Sequence, residues 1–181
     1  MAAVNTQGLN PMRIHHVDKL QSLLLLARRQ KWDLTFLSDL HHDPFEFISS
    51  SGEAKSQPLV LMIEEYALVQ WEKTGFLLSH AMWQTWFSHG KEWRRSGDRT
   101  FALQIPLCSQ VTWWIAVYCP PSGDRALRQF FFLEAQALAS TISSCDQWWG
   151  GDWNSHVGSD RSARYGLSTP TTSRSTEDFL P

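Results

Sequence analysis

A carboxylate and a carboxamide stand two positions apart in the segment 150–158, directly after a pair of tryptophans. Asp152 and Asn154 would alternate along a strand, so both side chains are expected on the same face of its end. The carboxylate can take a proton from water or hold a divalent cation, and the amide can orient a phosphate oxygen or that water. The alternative is a turn in which both side chains bond to their own backbone.

Three more polar side chains stand where apolar segments end. Asp39 follows the predicted buried strand 32–38, and Tyr118 closes the predicted strand 110–118 before a pair of prolines. Asn5 ends a short apolar segment, and residues 5–9 are expected to form a turn. Because strand ends lie at the edge of a sheet, these side chains could face one cleft. Each also has a structural alternative, as a turn residue, a loop cap or a core tyrosine.

The elements that must position these residues are helices and short strands in alternation. Apolar residues at helical spacing predict helices over residues 17–29 and 125–140. Short apolar segments predict further strands at residues 59–63, 67–71, 74–79 and 101–107. Residues 82–93 fit a short helix or an aromatic loop, and residues 94–99 a charged turn. The order predicts a mixed α/β layered fold, with helices packed on a sheet.

Composition narrows the class of protein. The chain has 181 residues, 43% of them hydrophobic, which suffices for one domain with a core. A net charge of -2 gives no basic excess of the kind that indicates nucleic-acid binding by the whole chain. No signal peptide or apolar run of membrane-spanning length is present, so no membrane partner and an intracellular, reducing compartment are expected.

Zinc is not expected from the spacing of the possible ligands. The three cysteines form no Cys-x-x-Cys pair. The paired histidines have neighbouring positions, and neighbours point in different directions, so a solvated or core role is favoured for His15, His16, His41 and His42.

Four short motifs, in order along the chain, resemble those of the endonuclease/exonuclease/phosphatase (DNase I-like) superfamily. They are Val-Asn-Thr-Gln-Gly-Leu around Asn5, Phe-Leu-Ser-Asp-Leu-His around Asp39, Val-Tyr-Cys-Pro-Pro around Tyr118, and Gly-Asp-Trp-Asn around Asp152. The longer Gly-Asp-Trp-Asn-Ser-His-Val-Gly-Ser-Asp is similar to the nuclease domains of non-LTR (LINE-type) retrotransposons. Within that family, the nearest resemblance is therefore to a retrotransposon endonuclease, a type associated with reverse transcriptase.

The resemblance implies metal-dependent hydrolysis of phosphodiester bonds in DNA, with Mg²⁺ (or Mn²⁺) as the cofactor. Asp39 and Asn5 would serve the metal, and Asp152 with Asn154 would orient or deprotonate the attacking water. The phosphate would be bound by Tyr118, Asn154 and Arg99, the alternative for Arg99 being a solvated charged turn. A retroelement origin would make the location nuclear. The implied fold is the first half of a four-layer α/β sandwich, a mixed sheet with helices packed on one face.

Two departures from the family pattern lower the expected activity. Asp39 stands where the family has glutamate, so the side chain is one carbon, about 1.5 Å, shorter. No Ser-Asp-His triplet follows the last motif. We therefore expect a partial domain over residues 1–158, a polar and mobile tail over residues 159–181, an apolar face left uncovered by a missing second sheet, and weak or absent cleavage. The alternatives are a non-catalytic remnant or interaction module, and a phosphatase of the same superfamily.

Overall fold

The computed structural model describes residues 1–41, 45–48, 54–108, 110–121, 123–142 and 145–154. Across these residues the elements are β1 (Ala2–Leu9), a 3-10 turn (Ile14–His16), α1 (Val17–Arg29), β2 (Leu34–Leu40), β3 (Phe45–Ile48), β4 (Ala54–Gln57), β5 (Leu59–Ile63), β6 (Tyr66–Trp71), β7 (Thr74–Ser79), α2 (His80–Ser88), β8 (Trp93–Ser96), β9 (Thr100–Gln104), β10 (Thr112–Tyr118), α3 (Arg125–Thr141) and β11 (Asp146–Asp152). The tail predicted at residues 159–181 lies outside the described residues.

Two sheets are stacked face to face. The first has the strand order β1-β2-β7-β6-β5 and the second β11-β10-β9-β8, while β3 and β4 form a separate hairpin. β1 pairs with β2 in parallel and β10 pairs with β11 in parallel, whereas the other pairings are antiparallel. Apolar side chains from both sheets fill the space between them, among them Phe36, Val69, Phe76, Phe101, Leu103 and Trp114.

A helix covers the outer face of each sheet. Leu23 and Ala27 of α1 pack on the first sheet, and Phe131 and Leu138 of α3 pack on the second. The result is a four-layer α/β sandwich with mixed sheets, which confirms the predicted fold class. The expectation that a missing second sheet leaves an apolar face uncovered is wrong, because residues 93–152 form that sheet and α3 covers it.

Two segments predicted as turns are strands. Residues 5–9 continue β1, and the chain keeps its pairing with β2 through an irregularity at Gln7 (φ 51°) and Gly8 (φ 74°). Residues 93–96 form β8, whose edge pairing with β9 extends the second sheet, and the turn begins only at Gly97. The first turn was predicted from Asn5 and Gly8 and the second from the charges of residues 94–99, but both segments have a strand partner in a sheet, and that pairing decides their conformation. No helix in the described part of the chain is long and apolar enough to cross a membrane.

Asp124 caps α3, and its removal should loosen that helix. Its Oδ1 accepts a hydrogen bond from Leu127 N at 3.0 Å. We expect Asp124→Ala to lower the free energy of unfolding by about 1 kcal/mol, the usual cost of a lost N-cap, measured by urea denaturation. Gln129→Ala, at an exposed position on the same helix, is the control. Equal stability of the two variants would contradict the capping role.

Candidate active site

The predicted site residues lie at one edge of the sandwich because two parallel strand pairs end there. Asn5 lies opposite Ser38 near the end of β2, so Asn5 and Asp39 occupy adjacent positions on neighbouring strands. Tyr118 lies opposite Asp152 at the ends of β10 and β11. The carboxyl ends of all four strands therefore share an edge, and β11 packs directly against β1 and β2 across the sandwich.

Gly150 permits this close approach between the sheets. A Cβ atom at Gly150 would lie 2.4 Å from Cδ2 of Phe36, whose ring fills the inter-sheet core. No side chain fits there without displacing that ring. The absence of a side chain thus lets the end of β11 approach Phe36 of β2.

Asp152 has a hydrogen-bond donor on each carboxylate oxygen. Oδ2 accepts from Asn5 Nδ2 at 2.7 Å, and Oδ1 accepts from the backbone N–H of Asn154 at 2.8 Å. The Asn5 amide is itself oriented, since its Oδ1 accepts from Gln7 N at 2.9 Å. The local turn considered as an alternative therefore exists, and it coexists with a long-range contact that fixes the carboxylate.

Asp39 and Tyr118 join the first sheet to the second at the same edge. Burial raises the pKa of Tyr118, and the negative charge of Asp39 and a hydrogen bond to it raise that pKa further. The phenol therefore stays protonated at neutral pH and remains a hydrogen-bond donor. His41 Nε2 lies 3.4 Å from Asp39 Oδ1. Asp39 adopts a left-handed conformation (φ 59°), unusual for a residue other than glycine.

Arg99 lies behind Tyr118. Its guanidinium carbon is 4.9 Å from the centre of the Tyr118 ring, and Nη1 donates to the Tyr118 carbonyl at 3.4 Å. Nε also lies 3.7 Å from Oδ1 of Asp98. The guanidinium thus supports the tyrosine while adding positive charge beside it. Phosphate binding by Arg99 stays a prediction.

Asn154 does not occupy the predicted position. β11 ends at Asp152, and Asn154 has a left-handed backbone (φ 46°), so strand alternation does not continue to it. Its Nδ2 donates to the Cys119 carbonyl. The prediction that Asp152 and Asn154 share one strand face is wrong, because the chain turns between them. In this arrangement the Asn154 side chain fastens the ends of β10 and β11 together.

The donor set suits a hard divalent cation. Magnesium is usually held through one or two protein carboxylates with water or phosphate completing its shell. The negative charges of Asp39 and Asp152 both raise the pKa of Tyr118, so both carboxylates lie near that side chain. The Asn5 amide oxygen, with two lone pairs, can also contribute. Within the described residues, no three His, Cys, Asp or Glu side chains form a group able to hold a metal ion.

Two polar residues near the site were not found from the sequence. The exposed side chain of His41 confirms the expected solvated role, and its contact with Asp39 was not predicted. Arg128 is fully buried in α3. A periodic signal exists for Arg128, because it shares the spacing of the buried Phe131, Ala135 and Leu138.

Comparisons with known proteins returned solved structures only. No family model matches the chain, and no curated protein matches it. The endonuclease domain of TRAS1, a telomere-specific non-LTR retrotransposon, is similar with a TM-score of 0.47 and 10% identity, over 85% of this chain and 59% of that one. D. rerio TDP2 complexed with a single-strand DNA product is similar with a TM-score of 0.47 and 13% identity, over 91% of this chain and 63% of that one.

A humanised D. rerio TDP2 gives the same TM-score and identity, over 91% of this chain and 64% of that one. The chain thus spans about three-fifths of the length of these structures.

Proposed function

We propose that this chain carries a metal-dependent phosphodiesterase site that acts on DNA, of the retrotransposon endonuclease type. One observation carries the proposal: Asn5 and Asp152, 147 positions apart in the sequence, are hydrogen-bonded at the edge where Asp39 meets Tyr118. An acidic pair, an oriented amide and a protonated phenol at one edge are the groups that phosphodiester hydrolysis requires.

The residues divide the work as follows. Asp152, held on both oxygens, orients the attacking water and accepts its proton. Tyr118, whose O–H donates to Asp39 in the free site, would turn that donor to a non-bridging phosphate oxygen when the substrate binds, and Arg99 adds positive charge behind it. Asp39 and Asp152, assisted by Asn5, would hold Mg²⁺ or Mn²⁺. When bound, the cation supplies neutralisation of charge on the phosphate.

The sequence favours DNA over small phosphoesters. The segment 151–160, Gly-Asp-Trp-Asn-Ser-His-Val-Gly-Ser-Asp, resembles retroelement nucleases, and Arg-Tyr-Gly at residues 164–166 favours the same substrate. Residues 155–181 lie outside the described part of the chain.

The test is a panel of substrates with the purified 181-residue chain. We expect slow cleavage of supercoiled plasmid and of a fluorogenic oligonucleotide, dependent on Mg²⁺ or Mn²⁺ and abolished by a chelator. If the chain cleaves p-nitrophenyl phosphate but neither DNA substrate, the proposed function is wrong and the protein is a phosphatase. If the folded chain binds DNA but does not cleave it after prolonged incubation, the proposed function is wrong and the protein is a non-catalytic interaction module.

Removing the Tyr118 hydroxyl should slow the reaction moderately. Tyr118→Phe deletes one neutral hydrogen-bond donor, an effect of about 0.5–1.5 kcal/mol or roughly 2- to 12-fold in kcat. Tyr66→Phe is the matched control, because Tyr66 is buried at the start of β6, at the opposite edge of the sheet. The measurement is kcat of both variants under steady-state conditions. Equal kcat for Tyr118→Phe and wild type would show that the Tyr118 hydroxyl takes no part in the reaction.

A further inference from the structure

Arg128 is a charged side chain that the fold buries completely. Among the described residues it is the one charged side chain in the core, with 0% exposure. It lies on the inner face of α3 together with Phe131 and Leu138. Burying a guanidinium is costly unless its N–H groups are hydrogen-bonded. The hydrogen-bond partners of Arg128 therefore indicate the role of this buried guanidinium.

Those partners include backbone carbonyls where β10 and β11 leave the second sheet. Nη1 of Arg128 donates to Pro120 O at 2.7 Å and to Asn154 O at 3.3 Å. Pro120 follows Tyr118 by two residues, and Asn154 follows Asp152 by two residues. One nitrogen thus joins the two segments that carry the phenol and the carboxylate of the proposed site.

Further hydrogen bonds connect the same two segments to the carboxylate itself. Cys119 N donates to Asp152 O at 2.8 Å, and Asn154 Nδ2 donates to Cys119 O. Asn154 N then donates to Asp152 Oδ1 at 2.8 Å. A shift of the Asn154 backbone is therefore transmitted in one step to the orientation of the Asp152 carboxylate.

We propose that Arg128 is a positioning residue, which fixes Asp152 relative to Tyr118 by clamping the exits of β10 and β11. The inference rests on the proposed phosphodiesterase function, and Arg128 acts through the carbonyls of Pro120 and Asn154. Guanidinium suits the task because its donors spread in a rigid plane and it stays charged at any ordinary pH. Lysine would bring a charge without that planar fork, and methionine would fill similar space without donating.

The kinetic test compares Arg128→Lys and Arg128→Met in the 181-residue chain, with an oligonucleotide substrate. Misplacement of catalytic groups by about 1 Å can cost on the order of 100-fold, so we expect Arg128→Met to lower kcat about 10-fold to 100-fold, with KM changed by less than about 3-fold. Arg128→Lys should fall between wild type and Arg128→Met. Arg125→Met, at the exposed first residue of the same helix, is the control and should match wild type.

Thermal denaturation of each variant separates positioning from folding. A kcat loss that only follows the fraction of unfolded protein at the assay temperature would overturn the proposal, as would a change in KM alone. If Arg128→Met does not fold, Arg128→Lys carries the same comparison.

Amide hydrogen exchange tests the clamp without relying on activity. The amides of Cys119 and Asn154 donate to Asp152, so Arg128→Met should accelerate their exchange more than that of Leu103, which lies in the middle of the same sheet. If wild type is inactive on every substrate, the proposed function fails while this measurement still decides the clamp. Equal exchange at Cys119 and Asn154 in wild type and variant would overturn it.

Discussion

Asp152→Asn should lower the rate of DNA cleavage by about 100-fold to 10,000-fold, the range for removal of a general base. Asparagine has nearly the shape of aspartate, and its amide oxygen can accept from Asn5 Nδ2 or from Asn154 N, while its NH2 group faces the other donor. It cannot accept a proton from water, and it carries no charge for a cation. We therefore expect kcat to fall by far more than the loss of about 0.5–1.5 kcal/mol in stability that one lost hydrogen bond causes, with thermal denaturation measuring the second effect.

The matched control is Asp146→Asn at the other end of the same strand. Asp146 is exposed and lies opposite Thr112, a full strand length from the site. Both variants remove one negative charge from β11, so a general electrostatic effect on DNA binding would change them equally. A normal rate in Asp152→Asn, or an equal loss in both, would rule out Asp152 as the base.

Gly151→Ala should be the most destabilising small substitution near the site. Gly151 has φ 137°, which residues with side chains rarely adopt, and a Cβ there would lie 2.1 Å from Val117 O. Backbone strain of about 1–3 kcal/mol and overpacking of about 1–3 kcal/mol together predict a loss of roughly 2–6 kcal/mol. The obstacle is backbone of the paired strand β10, so relief requires the two strands to separate beside Tyr118 and Asp152.

Comparison with two other glycines makes this prediction specific. Gly150→Ala meets the buried ring of Phe36, but Gly150 is not in the positive-φ region, so overpacking occurs without backbone strain and the loss should be smaller. Gly123→Ala faces open space and should leave stability nearly unchanged. Urea denaturation of the three variants should rank them in that order. A stability of Gly151→Ala equal to that of Gly123→Ala would show that β11 does not approach β10 as described.

The elements with strong apolar patterns were predictable from the sequence. Five-residue or longer apolar segments and the helical spacing in α1 and α3 correspond to the observed strands and helices, because burial of those side chains dominates their energetics. Asp39, Tyr118 and Asp152 also follow from pattern, because each stands at or next to the end of an apolar strand. Asn5 lies within β1, and the parallel pairing of β1 with β2 places it beside Asp39. Their motif order indicated which four strands carry these residues.

The remaining features depend on contacts between distant segments. Nothing local to residues 93–96 favours a strand, and β8 forms because β9 offers a free edge. The position of Asn154 depends on a turn after Asp152 and on the Cys119 carbonyl, neither of which alternation along a strand can reveal. The second sheet was expected to be missing because no Ser-Asp-His triplet follows the last motif, an argument from family order that did not consider how the strands of residues 93–152 pair with one another.

Because the site requires the hydrogen bond between Asn5 and Asp152, it can form only late in the synthesis of the chain, after Asp152 has been added. The two residues are separated by 147 positions, so at about 5–20 residues per second the first waits roughly 7–30 seconds for the second to be made. A growing chain that stops before Asp152 can contain most of the first sheet and still lack the base. Cleavage should therefore appear abruptly in ribosome-released chains of increasing length, and contacts of such sequence separation also make the final step of folding slow.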